Sequence, residues 1–167
     1  MKLQRLIPRS ILVIALAAFA CAARAELHAP ARAAGFRLAT VHGFVSLDSL
    51  RGRVVLVDFW ASWCAPCKRS FPWMSALHDS LGPHGLEIIA INLDKDRDAA
   101  DRFLDRNPAR FTVAFDPGGG TAEAWHVAAM PTSYVVAPDG TVLLTHAGFD
   151  PRHTAELEAA IRKACPR

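Results

Sequence analysis

The feature that most restricts the fold is a run of seven β-favouring residues, VVLVDFW, from Val54 to Trp60, in which Asp58 is the only polar side chain. A strand with one face in water alternates between apolar and polar residues, whereas this run is apolar almost throughout. Such a run is typical of a strand that is covered on both faces, as in the middle of an α/β sheet. We therefore expect residues 54–60 to form a central strand.

A helix is predicted directly after this strand. Apolar residues recur at helical spacing from Phe71 to Leu81, so the helix should run from about Pro66 to Leu81. Pro66 suits the first helical turn, where the missing N–H has no partner to lose. Pro72 lies well inside and should kink the helix, because it removes one backbone hydrogen bond.

The remaining patterns also alternate between strand and helix, and no repeat is found. With 167 residues, of which 51% are apolar, the chain is long enough for one domain with a substantial core. Further strands are expected at 36–40, 44–47, 86–93, 112–115, 133–137 and 141–147, and further helices at 98–106, 121–127 and 153–164. This order predicts a single α/β domain over residues 36–167, with a mixed central sheet flanked by helices.

The first 25 residues have the pattern of a cleaved signal peptide. A basic start precedes an apolar run of 13 residues from Ile11 to Ala23. A helix that crosses a membrane needs about 20 residues, so this run is too short. Cleavage is expected after Ala25, followed by a mobile lead-in over residues 26–35. The predicted location is the periplasm of a Gram-negative bacterium. Two alternatives stay open: an uncleaved anchor that holds the domain at the membrane, facing the periplasm, and lipid attachment at Cys21.

The positive charge of the chain belongs to the predicted signal. The formal net charge of +3 becomes −1 when its four basic residues, Lys2, Arg5, Arg9 and Arg24, are removed. No basic cluster remains in the rest of the chain, so nucleic-acid binding is not expected.

Two cysteines, Cys64 and Cys67, stand where the central strand gives way to the helix. A bridge between them would close a loop too short to constrain much of the unfolded chain, which argues against a structural role. A structural zinc site needs four ligands, and the seven histidines are dispersed. No metal or cofactor is therefore predicted. Cys165, near the end of the chain, is interpreted as an inert or exposed extra thiol.

The position of Cys64 and Cys67 at the predicted start of a helix favours redox chemistry. The free N–H groups and the dipole of a helix start stabilise an anion, and the thiolate of Cys64 is the form that attacks disulfides. Cys67, deeper in the helix, would then be the resolving thiol. Asp58 is costly to bury in its ionised form, so we expect its pKa to be raised. Such a carboxyl could take the proton from Cys67 as that thiol attacks.

The residues VVLVDFWASWCAPCK resemble the active-site segment of thioredoxins. The wider pattern, GFVSLDSLRGRVVLVDFWASWCAPCKRSFP with the later MPTSYVVAPDGTV, resembles the TlpA/ResA-like branch of exported thioredoxin-fold proteins. The resemblance covers about residues 36–164. It implies a thioredoxin-like fold with an N-terminal β extension and a central αβ insertion around residues 93–115. It also implies that Cys64 is the nucleophile, Cys67 the resolving cysteine and Asp58 the proton-handling acid.

The same resemblance implies where a substrate binds. Trp60 and Trp63 would form an aromatic wall beside the thiols, and the Met130–Pro131 bond would be cis, with Pro131 facing the cysteines. The backbone of Met130 could then pair with an extended substrate segment, as in strand addition. With the two residues between the cysteines, the predicted substrate-binding residues are Trp60, Trp63, Ala65, Pro66, Met130 and Pro131.

The predicted function is a monomeric thiol–disulfide oxidoreductase that acts on protein disulfides as a reductant. Because the bacterial periplasm is kept oxidising, a reductant there needs electrons from a membrane-embedded thiol donor. Three alternatives stay open: a disulfide-introducing oxidant, a thiol peroxidase and a non-enzymatic copper-binding module. Members that prepare cytochrome c for haem attachment usually carry Glu where this chain has Ser70, so the resemblance does not predict service to apocytochrome.

Overall fold

The computed structural model describes residues 31–165, without the side chain of His153. The predicted signal peptide, its cleavage site and Cys21 lie outside these residues. Among residues 31–165, no helix is both long enough and apolar enough to pass through a membrane.

Seven strands form one mixed sheet in the order β2-β1-β5-β4-β3-β6-β7. The strands are β1 (Arg37–Thr40), β2 (Gly43–Ser46), β3 (Val54–Trp60), β4 (Leu86–Asn92), β5 (Thr112–Phe115), β6 (Thr132–Val136) and β7 (Val142–Ala147). β3, β4 and β5 are parallel to one another, and the remaining pairs are antiparallel. All residues of β3 are buried between its neighbours, as the apolar run predicts.

Helices cover both faces of this sheet. They are α1 (Ala65–Leu81), α2 (Arg97–Arg106), α3 (Gly120–Ala124) and α4 (Ala155–Ala164), with short 3-10 turns at Asp48–Leu50, Gly82–His84 and Pro151–His153. The helix of the active-site segment begins one residue before Pro66 and continues past Pro72 to Leu81. The predicted α/β fold with a mixed central sheet is confirmed, and the element boundaries agree within a few residues.

Alternate residues of β3 contribute to two separate core layers. Leu56 and Trp60 belong to the layer that contains both cysteines, whereas Val57 and Phe59 belong to the layer on the other face of the sheet. Because side chains alternate along a strand, Asp58 lies on the same face as Leu56 and Trp60. The sheet thus places the buried acid and the cysteines on one side.

The N-terminal β extension and the central insertion are joined to each other. The antiparallel hairpin of β1 and β2 pairs with β5, with Ala39 opposite Phe115. α2 and β5 occupy the segment in which an insertion is predicted, residues 93–115. The two additions therefore extend one edge of the sheet together.

The part of the lead-in that the structure describes is held in place, which differs from the predicted mobile segment. The amide of Val142 donates to the carbonyl of Ala31 (2.9 Å), and the amide of Ala33 donates to the carbonyl of Gly140 (2.9 Å). The indole Nε1 of Trp125 donates to the carbonyl of Ala34 (3.0 Å). The lack of an apolar period suggests mobility, but these backbone groups find partners in the turn between β6 and β7, at the start of β7 and on the residue that follows α3.

Candidate active site

The two cysteines are joined in a disulfide at the start of α1. Their sulfur atoms are 2.01 Å apart, and their Cα atoms are 5.3 Å apart. Cys64 is the N-cap residue of α1, and its Sγ accepts a hydrogen bond from the amide of Cys67 (3.2 Å). Cys64 is 5% exposed and Cys67 is fully buried. An attacking sulfur from outside can therefore reach only Cys64, although even Cys64 is less exposed than its predicted role suggests.

The turn that leads into Cys64 is fixed by a carboxylate from the neighbouring strand. Asp94, two residues beyond β4, accepts hydrogen bonds from the amide of Ser62 (2.8 Å), the hydroxyl of Ser62 (2.9 Å) and Nδ2 of Asn92 (2.7 Å). β3 and β4 are parallel and end at the same edge, with Trp60 opposite Asn92. Sequence reasoning missed this contact, and the signal for it was an acid just after the second parallel strand.

The predicted aromatic wall is divided between surface and core. Trp63 is 70% exposed beside Cys64. Trp60 has no exposed surface, and its ring packs against the rings of Phe71 (4.9 Å between centroids) and Phe103 (4.7 Å). Trp60 therefore packs beneath the site and cannot touch a substrate in this conformation, because its side chain points from β3 into the core layer that contains both cysteines.

Asp58 is buried in the middle of the sheet, directly opposite Ser133 of β6. The hydroxyl of Ser133 donates to Oδ1 of Asp58 (2.6 Å), whereas Oδ2 is buried without a hydrogen-bond partner among the described residues. Burial raises the pKa of Asp58 from 3.8 to about 7, and the hydrogen bond from Ser133 opposes that rise. Near neutral pH this carboxyl can therefore both accept and release a proton.

Ser133 is a residue that sequence reasoning missed, and its removal tests the environment of Asp58. In Ser133→Ala we expect the pKa of Asp58 to rise above 7, because the carboxylate loses the one hydrogen-bond donor that the described residues give it. A ¹³C NMR titration of the carboxyl group measures the midpoint. Ser80→Ala, which removes a hydroxyl from the surface of α1, serves as the control and should leave the midpoint unchanged. An unchanged or lower midpoint in Ser133→Ala would contradict this account.

The loop before β6 contains the cis peptide bond that the resemblance implies, between Met130 and Pro131. Pro131 is buried, and its carbonyl accepts a hydrogen bond from the amide of Gly148 (2.7 Å). Met130 is half-buried and packs against the core layer that contains both cysteines. Within residues 31–165, the backbone of Met130 has no hydrogen-bond partner. This segment is therefore free to pair with another chain.

The remaining predicted features are the two residues between the cysteines, Ser70 and Cys165. Ala65 is exposed and Pro66 is half-buried at the start of α1. Ser70 is buried, and its hydroxyl donates to the carbonyl of Cys67 (2.9 Å). Cys165 is a free and buried thiol whose pKa is raised by burial, so it is inert and not exposed. Among residues 31–165, no three His, Cys, Asp or Glu side chains are grouped closely enough to hold a metal ion.

A disulfide that spans the first turn of a helix, with one sulfur reachable from outside, can open and close during exchange with another disulfide. On this mixed sheet, that arrangement places the chain among the thioredoxin-fold thiol–disulfide oxidoreductases. The sequence matches the AhpC/TSA family over residues 30–145, which is more than half of the chain. The protein belongs to the AhpC/TSA family.

Individual relatives support the same class. The thiol-disulfide oxidoreductase ResA of Oceanobacillus iheyensis is 36% identical over 98 residues, which are 59% of this chain and 51% of the relative. The ResA protein of Bacillus thuringiensis is 31% identical over 122 residues, 73% of this chain and 69% of the relative. The chain thus spans between about half and about two thirds of these relatives.

A solved structure shows the same fold over nearly the whole domain. The crystal structure of a protein from Chlorobium tepidum, assigned as thiol:disulfide interchange protein DsbE, is 43% identical and superposes with a TM-score of 0.80. The match covers 83% of this chain and 99% of that one. The thioredoxin-like fold that the resemblance implies is therefore confirmed.

Proposed function

We propose that this protein reduces disulfides of other proteins in the periplasm, cycling between the Cys64–Cys67 disulfide and the dithiol. The observation that carries the proposal is the contrast between the two sulfurs. Cys64 is slightly exposed, and its Sγ accepts a hydrogen bond at the helix start, whereas Cys67 has no exposed surface. One thiol is thus built to attack, and the other is built to resolve.

The reaction then follows from this arrangement. The Cys64 thiolate attacks one sulfur of the client disulfide, and the other client sulfur leaves as a thiolate. Cys67 loses its proton and attacks Sγ of Cys64, which releases the second client sulfur. Two electrons have moved to the client, and the protein holds the Cys64–Cys67 disulfide. A membrane-embedded thiol donor would restore the dithiol, since the bacterial periplasm is kept oxidising.

Asp58 is the proposed acceptor of the proton from Cys67. It lies on the face of β3 that belongs to the cysteine-containing core layer, and its pKa of about 7 allows proton transfer near neutral pH. Its Oδ2 has no hydrogen-bond partner among the described residues and is therefore the oxygen available for the proton.

The client segment is proposed to lie in extended form beside the loop of the cis proline. The unpaired backbone of Met130 would supply main-chain hydrogen bonds to it. Trp63, Ala65 and Pro66 offer surface next to Cys64, with Pro131 beneath the segment. The periplasmic location rests on the basic and apolar pattern of residues 1–25, and the protein is proposed to act as a monomer.

The reductive direction is proposed because few hydrogen bonds reach Sγ of Cys64 beyond the general stabilisation that a helix start gives. An oxidising member of this fold owes its potential to a stabilised reduced form. Here the described residues give Sγ of Cys64 one hydrogen bond, from a backbone amide, in a mostly buried position. Burial offsets part of the stabilisation that the helix start and nearby cations give an anion, so we expect the reduced form to be less favoured than in an oxidising member.

Equilibration with glutathione buffers tests the direction. Reduced and oxidised protein should differ in tryptophan fluorescence, because Trp63 adjoins Cys64. We expect a potential nearer to about −270 mV than to about −120 mV, the two ends of the range known for this fold. Cys67→Ala, which cannot form the disulfide, is the control and should show no internal redox transition. A potential near the oxidising end would overturn the reductase proposal in favour of a disulfide-introducing oxidant.

A further inference from the structure

A pocket of about 300 Å³ opens directly beside the accessible sulfur. Cys64 and the exposed indole of Trp63 line one side, and Phe103 and Arg106 from the last turn of α2 line the other. Lys68, one turn into α1, completes the rim. The reacting sulfur therefore lies at the edge of a recess that α1 and α2 form together.

The charged side chains that line this pocket are both cationic. Within the described chain, neither Lys68 nor Arg106 forms an ion pair. Nε of Arg106 donates to the carbonyl of Arg102 (2.9 Å), which leaves the two terminal nitrogens of its guanidinium without a hydrogen-bond partner among the described residues. Asp94 does not line the pocket, and it accepts two hydrogen bonds from Ser62, which does. The pocket is therefore suited to an anion.

A second, mostly apolar recess continues the first. It has a volume of about 530 Å³, shares Arg106 and Asn107 with the first pocket, and extends along α1 past Pro72 and Ser75.

We propose that these two recesses form one groove that selects client segments in which the reacting cysteine is followed directly by an acidic residue and, two positions later, by an apolar residue on the same face of the extended segment. The inference rests on the proposed reductase function and names its client class. With the client sulfur at Cys64, the neighbouring carboxylate meets Arg106 and Lys68, and an apolar side chain fills the recess beyond. A guanidinium and a carboxylate form paired hydrogen bonds in such a contact. Charges at a rim act mainly on the rate of encounter, so the selection should appear in the rate of reduction.

Three disulfide-linked peptide dimers, identical except for Glu, Gln or Lys after the cysteine and with Leu two positions further on, provide the test. The dithiol form of the protein is mixed with each dimer, and stopped-flow tryptophan fluorescence follows the reaction. The peptide disulfide is cleaved to two thiols as the Cys64–Cys67 disulfide forms. At low ionic strength we expect the Glu dimer to react about fivefold faster than the Gln dimer, and the Lys dimer to react more slowly still. Added salt should reduce the difference.

Variants of Arg106 and Arg102 test which side chain produces the preference for an acidic residue. Arg106→Gln should bring the ratio of the Glu and Gln rates close to one, and Arg106→Glu should make the Lys dimer faster than the Glu dimer. Arg102→Gln, on the same helix but paired with Asp96, is the matched control and should keep the wild-type ratio. Equal rates for all three dimers, or an Arg106→Gln ratio equal to wild type, would overturn this inference while leaving the reductase function intact. Failure to reduce even the Gln dimer would instead contradict the proposed function.

Discussion

Replacement of Cys64 by serine is expected to abolish the reduction of insulin disulfides, whereas replacement of Cys67 should leave mixed disulfides with clients in place. The reason is the order of access, because client sulfurs can meet only Cys64, and only Cys67 is positioned to release them. Turbidity of reduced insulin measures the first effect. Gel electrophoresis without reductant, followed by mass spectrometry of the trapped complexes, measures the second and identifies the clients.

Cys165 provides a matched control for both variants. It is the free cysteine of the described chain, it is buried, and burial raises its pKa. Cys165→Ser should therefore reduce insulin at the wild-type rate and trap nothing. Insulin reduction by Cys64→Ser, or the absence of mixed disulfides in Cys67→Ser, would contradict the proposed roles of Cys64 as the attacking thiol and Cys67 as the resolving thiol.

Replacement of Asp58 by asparagine should remove a large part of the pH dependence of stability. Burial raises the pKa of Asp58 from 3.8 to about 7 in the folded protein. The folded state therefore binds more protons than the unfolded state between these values, and the contribution of this group to stability falls as the pH rises through that window. Between pH 5 and pH 8 the expected loss from Asp58 is about 2 to 3 kcal/mol.

Urea unfolding of the oxidised protein at pH 5 and at pH 8 measures this loss. In the oxidised form Cys64 and Cys67 do not titrate, and Cys165 contributes equally to wild type and variant. The wild type should lose about 2 to 3 kcal/mol more than Asp58→Asn on going from pH 5 to pH 8. If the two free energies of unfolding change in parallel, Asp58 does not carry the raised pKa.

Local patterns predicted the framework, because each depends on residues that are close in sequence. The continuous apolar run of Val54 to Trp60 requires burial on both faces, and the spacing after Phe71 requires a helix. The location of Cys64 and Cys67 was predictable in the same way, since they lie between the end of that strand and the first turn of that helix. The buried state of Asp58 was predictable for the same reason, as its neighbours leave no exposed face.

Contacts between distant parts of the chain were not predictable in the same way. Ser133 faces Asp58 only because β6 pairs with β3 in one register, and 75 residues separate the two side chains. Trp60 and Trp63 look alike in sequence, yet Trp60 lies on a strand that is buried on both faces, whereas the turn exposes Trp63. Arg106 reaches the pocket because α2 ends beside α1, which no pattern of one segment reveals.

The backbone pairing of Ala31 fixes the end of the domain at which the described chain begins. Ala31 is held at Val142, beside the turn between β6 and β7. That turn adjoins Val136, which lies opposite Val55 near the beginning of β3, whereas Cys64 follows the other end of the same strand. A strand of seven residues spans about 20 Å. The described chain thus begins on the side of the domain remote from the disulfide.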